Sequence, residues 1–131
     1  MEYNAGMNDQ TPMRPVLSIR LFTHAKCFGP GIAELLRRVR ATRSLRAAAF
    51  SMDMAYSKAW RIVRESEDAL GFKLLKSTTG GAHGGGAVLT PEAEKLLDNY
   101  TAFTKDVQAE AERLFGERFF SDGDGGVKNE Q

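Results

Sequence analysis

The spacing of apolar positions changes several times along the chain, and each change marks an element. Val16, Leu17, Ile19, Leu21 and Phe22 favour strand, Thr23 to Lys26 have turn character, and Cys27 and Phe28 return to apolar. This predicts a small hairpin over 16–28. Gly29-Pro30-Gly31 then breaks the chain. Beyond it Ile32, Leu35, Leu36 and Val39 recur at steps of three and four through about Ala41, with Arg37, Arg38 and Arg40 on the other side. That is the pattern of a first helix. Thr42-Arg43-Ser44 is a short connector whose serine caps a second helix, Leu45 to Phe50, in which Ala47, Ala48 and Ala49 let helices approach closely. Ser51 to Met54 form a tight turn. A third helix is expected from about Ala55 to Leu70. Ala59, Ile62, Val63, Ser66 and Leu70 mark its inner face, Tyr56, Ser57, Lys58, Arg61 and Arg64 its outer one, and Gly71 ends it.

Phe72 to Ser77 reads as a short strand, Gly80 to Gly86 as a tip holding five glycines, and Ala87-Val88-Leu89 as the returning strand. Thr90-Pro91-Glu92 then starts a fourth helix: a capping hydroxyl, proline at the first helical position, and an acid at the positive end of the dipole. This helix is expected to run to about Glu117, roughly 38 Å at the standard rise. Leu96, Tyr100, Phe103, Val107, Ala111 and Leu114 form a stripe along it. The far end of such a stripe would be bare on a single small domain, so the expectation is a two-fold dimer through Leu96, Tyr100, Phe103, Val107 and Leu114. Residues 1–15 and 118–131 are expected to be disordered flanks of one folded domain over 16–117.

Composition changes this picture little, whereas the charge distribution changes it considerably. A chain of 131 residues with 42% hydrophobic and 27% charged positions fits one soluble globular domain. No apolar run approaches the roughly 18 residues of a membrane span. The polar start, with Glu2 and Asp9, is unlike a secretory signal, and the single cysteine, Cys27, has no internal partner. Both point to the cytoplasm. The formal net charge of +1 conceals an asymmetry: Arg14 to Arg64 holds eleven Lys and Arg against Glu34 and Asp53, whereas Glu65 to Gln131 holds seven against thirteen acids. A basic front half with an acidic rear half suits a protein that turns one face to phosphates.

A helix, a short helix, a turn, a polar-faced third helix and a glycine-tipped hairpin make up a mainly α fold with small β, the winged helix-turn-helix. In it the third helix enters the major groove of double-stranded DNA. Tyr56, Ser57 and Lys58 then lie where base edges are read, and Arg61 and Arg64 offer forked donors to guanine or phosphate. Arg43 and Ser44 stand at the start of the second helix, within reach of a phosphate. In the wing, Lys76, Thr78, Thr79 and His83 reach phosphates or a minor groove.

The run Phe28-Gly29-Pro30-Gly31, then Glu34-Leu35-Leu36, Tyr56 to Trp60, Leu74 to Ser77, and Thr79-Gly80-Gly81 through Gly84 to Thr90 resembles the amino-terminal domain of ModE-type molybdate-responsive regulators. Ser44, Ala47-Ala48 and Leu70-Gly71 are also similar to the LysR-type helix-turn-helix. The resemblance covers about Leu17 to Phe115. It implies a homodimeric DNA-binding domain whose fourth helix pairs with its mate, and a repressor of genes for molybdenum transport or metabolism. Three departures bear on function. The family reads roughly S-Y-K-x-A-W, whereas this chain has Ala55-Tyr56-Ser57-Lys58-Ala59-Trp60, so the operator is expected to differ. Ala82-His83 replaces a lysine among the wing glycines, making wing contact weaker or dependent on histidine protonation. Family members sense molybdate through a separate carboxy-terminal domain, and here sixteen residues follow Phe115. The expectation is a regulator without its sensor, or one working with a separate oxyanion-sensing protein.

Catalysis finds no support in these residues. The glycine tip lacks Walker spacing because Gly86 and Ala87 follow Gly85. His24, Cys27 and His83 are too dispersed for a metal motif, and no cofactor is expected. Glu65 with Asp68, and Glu92 with Glu94, read as solvated helix surface. The rival class is a winged helix that binds a protein partner without binding DNA.

Overall fold

Proline and cap chemistry set the helix boundaries. In the computed structural model, which describes residues 11–78 and 86–120, helix α1 spans Pro30–Thr42 with proline in its first turn. Gly29 at its N-cap is extended, and its carbonyl accepts from Ala33 N at 3.0 Å. Arg43 ends α1 in the left-handed conformation (φ 61°), its N–H donating to Val39 O at 2.7 Å. Helix α2 is Leu45–Ser51, capped by Ser44, whose Oγ accepts from Ala47 N at 2.9 Å. Ala48 and Ala49 are buried, and the small side chains let α1 and α2 pack closely. The turn is closed by Met54 N donating to Ala49 O at 2.9 Å, and helix α3 follows as Tyr56–Leu70. Gly71, at φ 88°, terminates α3 where a side chain would be strained.

The N-terminal hairpin exists but is shorter than 16–28. Strand β1 is Leu21–Phe22 and strand β2 is Lys26–Phe28, antiparallel with Leu21 opposite Phe28. The reason is local. Gly29-Pro30 stops the returning side after three residues, so Val16 to Ile19 have no strand to pair with. Ile19 instead gives its carbonyl to the Tyr100 hydroxyl at 2.6 Å.

Strands β3 (Leu75–Thr78) and β4 (Gly86–Leu89) form the wing, with Leu75 opposite Leu89 and Thr78 opposite Gly86. β3 begins later than the sequence suggests because the amides before it are held by a side chain. Glu67 of α3, which is buried, accepts from Leu74 N at 2.8 Å and from Leu75 N at 3.4 Å. The expected wing tip, with Thr79 and His83, and the flanks 1–10 and 121–131 lie outside the described residues.

Helix α4 is Pro91–Phe119. Thr90 caps it by accepting from Ala93 N at 3.1 Å, and donates to Lys73 O at 2.8 Å, tying the helix start to the wing base. The chain divides into two compact units, Ser18–Phe103 and a smaller one pairing the residues before Ser18 with those from Thr104. The core of the larger unit is Phe28, Leu35, Leu36, Val39, Val63, Leu74 and Leu97, all fully buried. Tyr100 joins them, edge-on to Phe28 at 5.0 Å between ring centroids. Within the smaller unit Gln108 anchors an extended segment, donating to Pro15 O at 2.7 Å and accepting from Leu17 N at 3.3 Å. Phe115 stacks on Phe119 at 4.4 Å.

Candidate nucleic-acid interface

The outer face of α3 is polar because its inner positions are committed to the core: Ala59, Val63 and Ser66 are buried, while Ser57, Lys58, Arg61 and Arg64 are exposed. Tyr56 is half-buried at the start of the helix. Its ring carries the guanidinium of Arg46, whose central carbon lies 4.0 Å from the ring centroid. Tyr56 meets Trp60 edge-on at 6.4 Å, and the Arg64 guanidinium lies 5.2 Å from the Trp60 ring. Two arginines and two aromatic rings thus form a continuous ladder from α2 along α3.

The wing is docked beside this ladder by a backbone hydrogen bond, Ala87 N donating to Arg43 O at 3.0 Å, and within the wing Gly86 N donates to Thr78 Oγ1 at 2.9 Å. Glycine is needed at 86, since a Cβ there would drive into the Arg43 carbonyl oxygen. Arg43 therefore serves the fold through its backbone while its side chain is exposed. Ser44 is engaged in capping α2, with its hydroxyl hydrogen left to donate. Lys76 and Ser77 are exposed on β3.

Ion pairing separates the cations of α1 from those around α3 and the wing. Glu34 binds Arg38 at 2.8 Å and Arg37 at 3.1 Å, and these hydrogen bonds, led by that from Arg38, hold its carboxyl below the usual carboxylate range. Arg40 pairs with Glu94 and Asp98 of α4. These partly exposed pairs add little stability, but they remove three cations from the count available to an anion. Arg43, Arg46, Lys58, Arg61, Arg64 and Lys76 form no ion pair among the described residues. They border α3 and the wing, so the sequence asymmetry becomes a local field.

Sequence reasoning did not single out Arg46, or Trp60 as its neighbour in the ladder. An arginine facing outward from an alanine-rich helix, and a tryptophan one turn after a tyrosine, were the available signals. Of the residues expected in a dimer contact, Tyr100 is buried in the core of its own chain, Leu96 and Val107 are half-buried, and Phe103 and Leu114 are 49% and 40% exposed. No cluster of three metal-ligating side chains occurs among the described residues, and no helix there is long and apolar enough to cross a membrane.

A helix-turn-helix flanked by a docked β-hairpin, with unpaired cations around its third helix, defines a winged helix-turn-helix DNA-binding domain. Residues 33–94 match the family described as bacterial regulatory helix-turn-helix protein, lysR family, so this segment carries a LysR-type helix-turn-helix. It is also a distant homologue of the N-terminal region of ModE and of MopB. It is 38% identical over 73 residues, 56% of this chain and 27% of the other, to the molybdenum-pterin-binding protein MopB of Rhodobacter capsulatus. It is 33% identical over 85 residues, 65% of this chain and 33% of the other, to the transcriptional regulator ModE of Haemophilus influenzae. The DNA-binding transcriptional dual regulator ModE of Escherichia coli is 29% identical over 89 residues, 67% of this chain and 34% of the other. The chain thus matches about a third or less of the length of these relatives.

Proposed function

We propose that this chain acts in the cytoplasm as a homodimeric, sequence-specific transcription regulator of ModE type, repressing genes of molybdenum transport or metabolism. The observation that carries the DNA-binding part is the set of six cations around α3 and the wing that have no carboxylate partner among the described residues. In this reading Ser57, Lys58 and Arg61 meet base edges in the major groove, while Arg43, Arg64, Lys76 and Thr78 hold the backbone. The molybdenum link rests on the relatives' names.

Binding to the DNA upstream of its own gene, titrated across a salt series, is expected to weaken by about a hundredfold or more between 50 and 200 mM salt, since several phosphates are neutralised. Salt-insensitive or absent binding would move the protein-interaction reading to first place. Arg61→Ala is expected to cost about 1 to 3 kcal/mol on the specific site and to relax its sequence preference. Undiminished affinity would remove Arg61 from base reading.

For assembly, the exposed Phe103 and Leu114 on α4 support pairing between copies through this helix. Phe103→Asp is expected to give monomers in sedimentation and to weaken operator binding, because two half-sites no longer bind together. Persistent dimers would place the contact elsewhere.

A further inference from the structure

Between α3 and the wing lies a notch of about 360 Å³, lined by Ser44, Arg46, Tyr56, Trp60, Ser77 and Thr78 among others. Among the described residues, no carboxylate lines it. We infer that this notch seats one phosphodiester group of the DNA backbone, with the Arg46 guanidinium as its clamp and Tyr56 as the residue that positions the clamp. The inference rests on the DNA-binding reading and changes the role of Tyr56 from base reader to platform.

Three features of the notch select an acceptor-only ligand. The Arg46 guanidinium lies over the Tyr56 ring at 4.0 Å. A guanidinium held over an aromatic face keeps N–H groups for a forked contact with two phosphate oxygens. The hydroxyl oxygens of Ser44 and Thr78 accept from Ala47 N and Gly86 N, at 2.9 Å each, and each keeps its hydrogen to donate to a ligand. Ser77 adds an exposed hydroxyl on the adjacent strand residue. The guanidinium and these hydroxyls can all donate at once, as a phosphodiester requires.

A phosphodiester fits better than a free oxyanion. Arg46 and Ser77 are exposed, and a small anion at so open a site competes with water for each contact, whereas a backbone phosphate is delivered by the rest of the duplex. The ladder also restrains Arg46 before binding, which lowers the entropy cost of ordering a long side chain. Lysine offers no planar group to stack and no fork.

The test compares wild type, Arg46→Ala, Arg46→Lys, Tyr56→Phe and Tyr56→Ala on two duplexes, the upstream DNA and one of scrambled sequence, each across salt. Arg46→Ala is expected to weaken both about tenfold and to lower the salt slope by about one phosphate per protomer, leaving the ratio between the duplexes unchanged. Arg46→Lys is expected to keep the slope and lose most of the affinity. Tyr56→Phe should match wild type, Tyr56→Ala should fall with Arg46→Ala, and the double substitution should be no worse than Arg46→Ala alone. Arg46 is exposed, so its variants should melt with wild type; thermal unfolding checks this.

Wild-type binding with an unaltered Arg46→Ala curve would overturn the notch assignment while leaving DNA binding intact. Loss of discrimination in Tyr56→Phe would also overturn it and return that hydroxyl to base reading. Failure of wild type to bind either duplex would overturn the DNA-binding reading itself, and the inference with it. Trp60, the one tryptophan of the chain, lines the notch and reports on it by fluorescence. A saturable response to inorganic phosphate without DNA would show a free-anion site in place of a backbone seat.

Discussion

Phe28→Ala is expected to lower the unfolding free energy by about 3 to 5 kcal/mol, the range for removing a fully enclosed aromatic ring. Phe28 has no exposed surface and meets Tyr100 edge-on at 5.0 Å, so the substitution empties a site whose walls come from the hairpin, α1 and α4. Those walls cannot collapse readily, because Tyr100 is also held by its hydrogen bond to Ile19 O and β2 is packed on α3. A domain of this size has about 5 to 15 kcal/mol in total, so the variant should unfold at a much lower urea concentration. The urea midpoint, followed by circular dichroism, measures this. A loss below about 1 kcal/mol would mean that the short hairpin is not an integral part of the core.

The second large effect is expected at Glu67. Its carboxylate is buried and is the acceptor for Leu74 N at 2.8 Å and, at 3.4 Å, for Leu75 N, where the chain turns from α3 into the wing. Glu67→Ala strands both amides away from water. Hydrogen bonds to a charged group contribute about 1.5 to 3 kcal/mol, and a buried donor left unsatisfied costs a similar amount, so the expected loss is about 2 to 4 kcal/mol, the longer bond adding least. Lys73 at 3.7 Å is largely exposed and contributes little. Glu67→Gln keeps an acceptor oxygen and should recover about half. Chemical unfolding gives the energies, and amide exchange at Leu74 locates them. Exchange at Leu74 as slow in Glu67→Ala as in wild type would show that another group holds the wing base.

Both predictions concern residues that sequence pattern treats poorly. Phe28 was placed in a hairpin, but nothing in its neighbours announces that it, more than Phe22, is the enclosed ring. Phe22 is exposed and Phe28 is buried because the register sets Phe22 opposite the exposed Lys26 and Phe28 opposite the half-buried Leu21. Glu67 lies at the C-terminal end of α3 among Glu65 and Asp68, where an acidic residue ordinarily reads as solvated surface. Only the arrival of Leu74 and Leu75 beside it makes burial favourable, and that depends on a contact seven residues away. The ion pairs behave alike: the sequence shows an excess of arginines between Arg14 and Arg64, and pairing with Glu34, Glu94 and Asp98 separates those that stay available from those that do not.

Element order, helix ends and the identity of the wing were legible in the chain because they depend on neighbours a few residues apart. Pro30 and Pro91 begin helices, Ser44 and Thr90 cap them, Gly71 ends one, and the periodicity of three and four places their inner faces. The clustering of glycines before Ala87-Val88-Leu89 marked the hairpin by the same local logic. The functional surface is different in kind. Arg46 stacks on Tyr56, Gly86 passes the Arg43 carbonyl, and Thr78 meets Gly86 only once α2, α3 and the wing are packed together. Those distances are set by side-chain volumes across elements far apart in the chain, which local preference does not encode, and so the notch and its arginine were decided by packing alone.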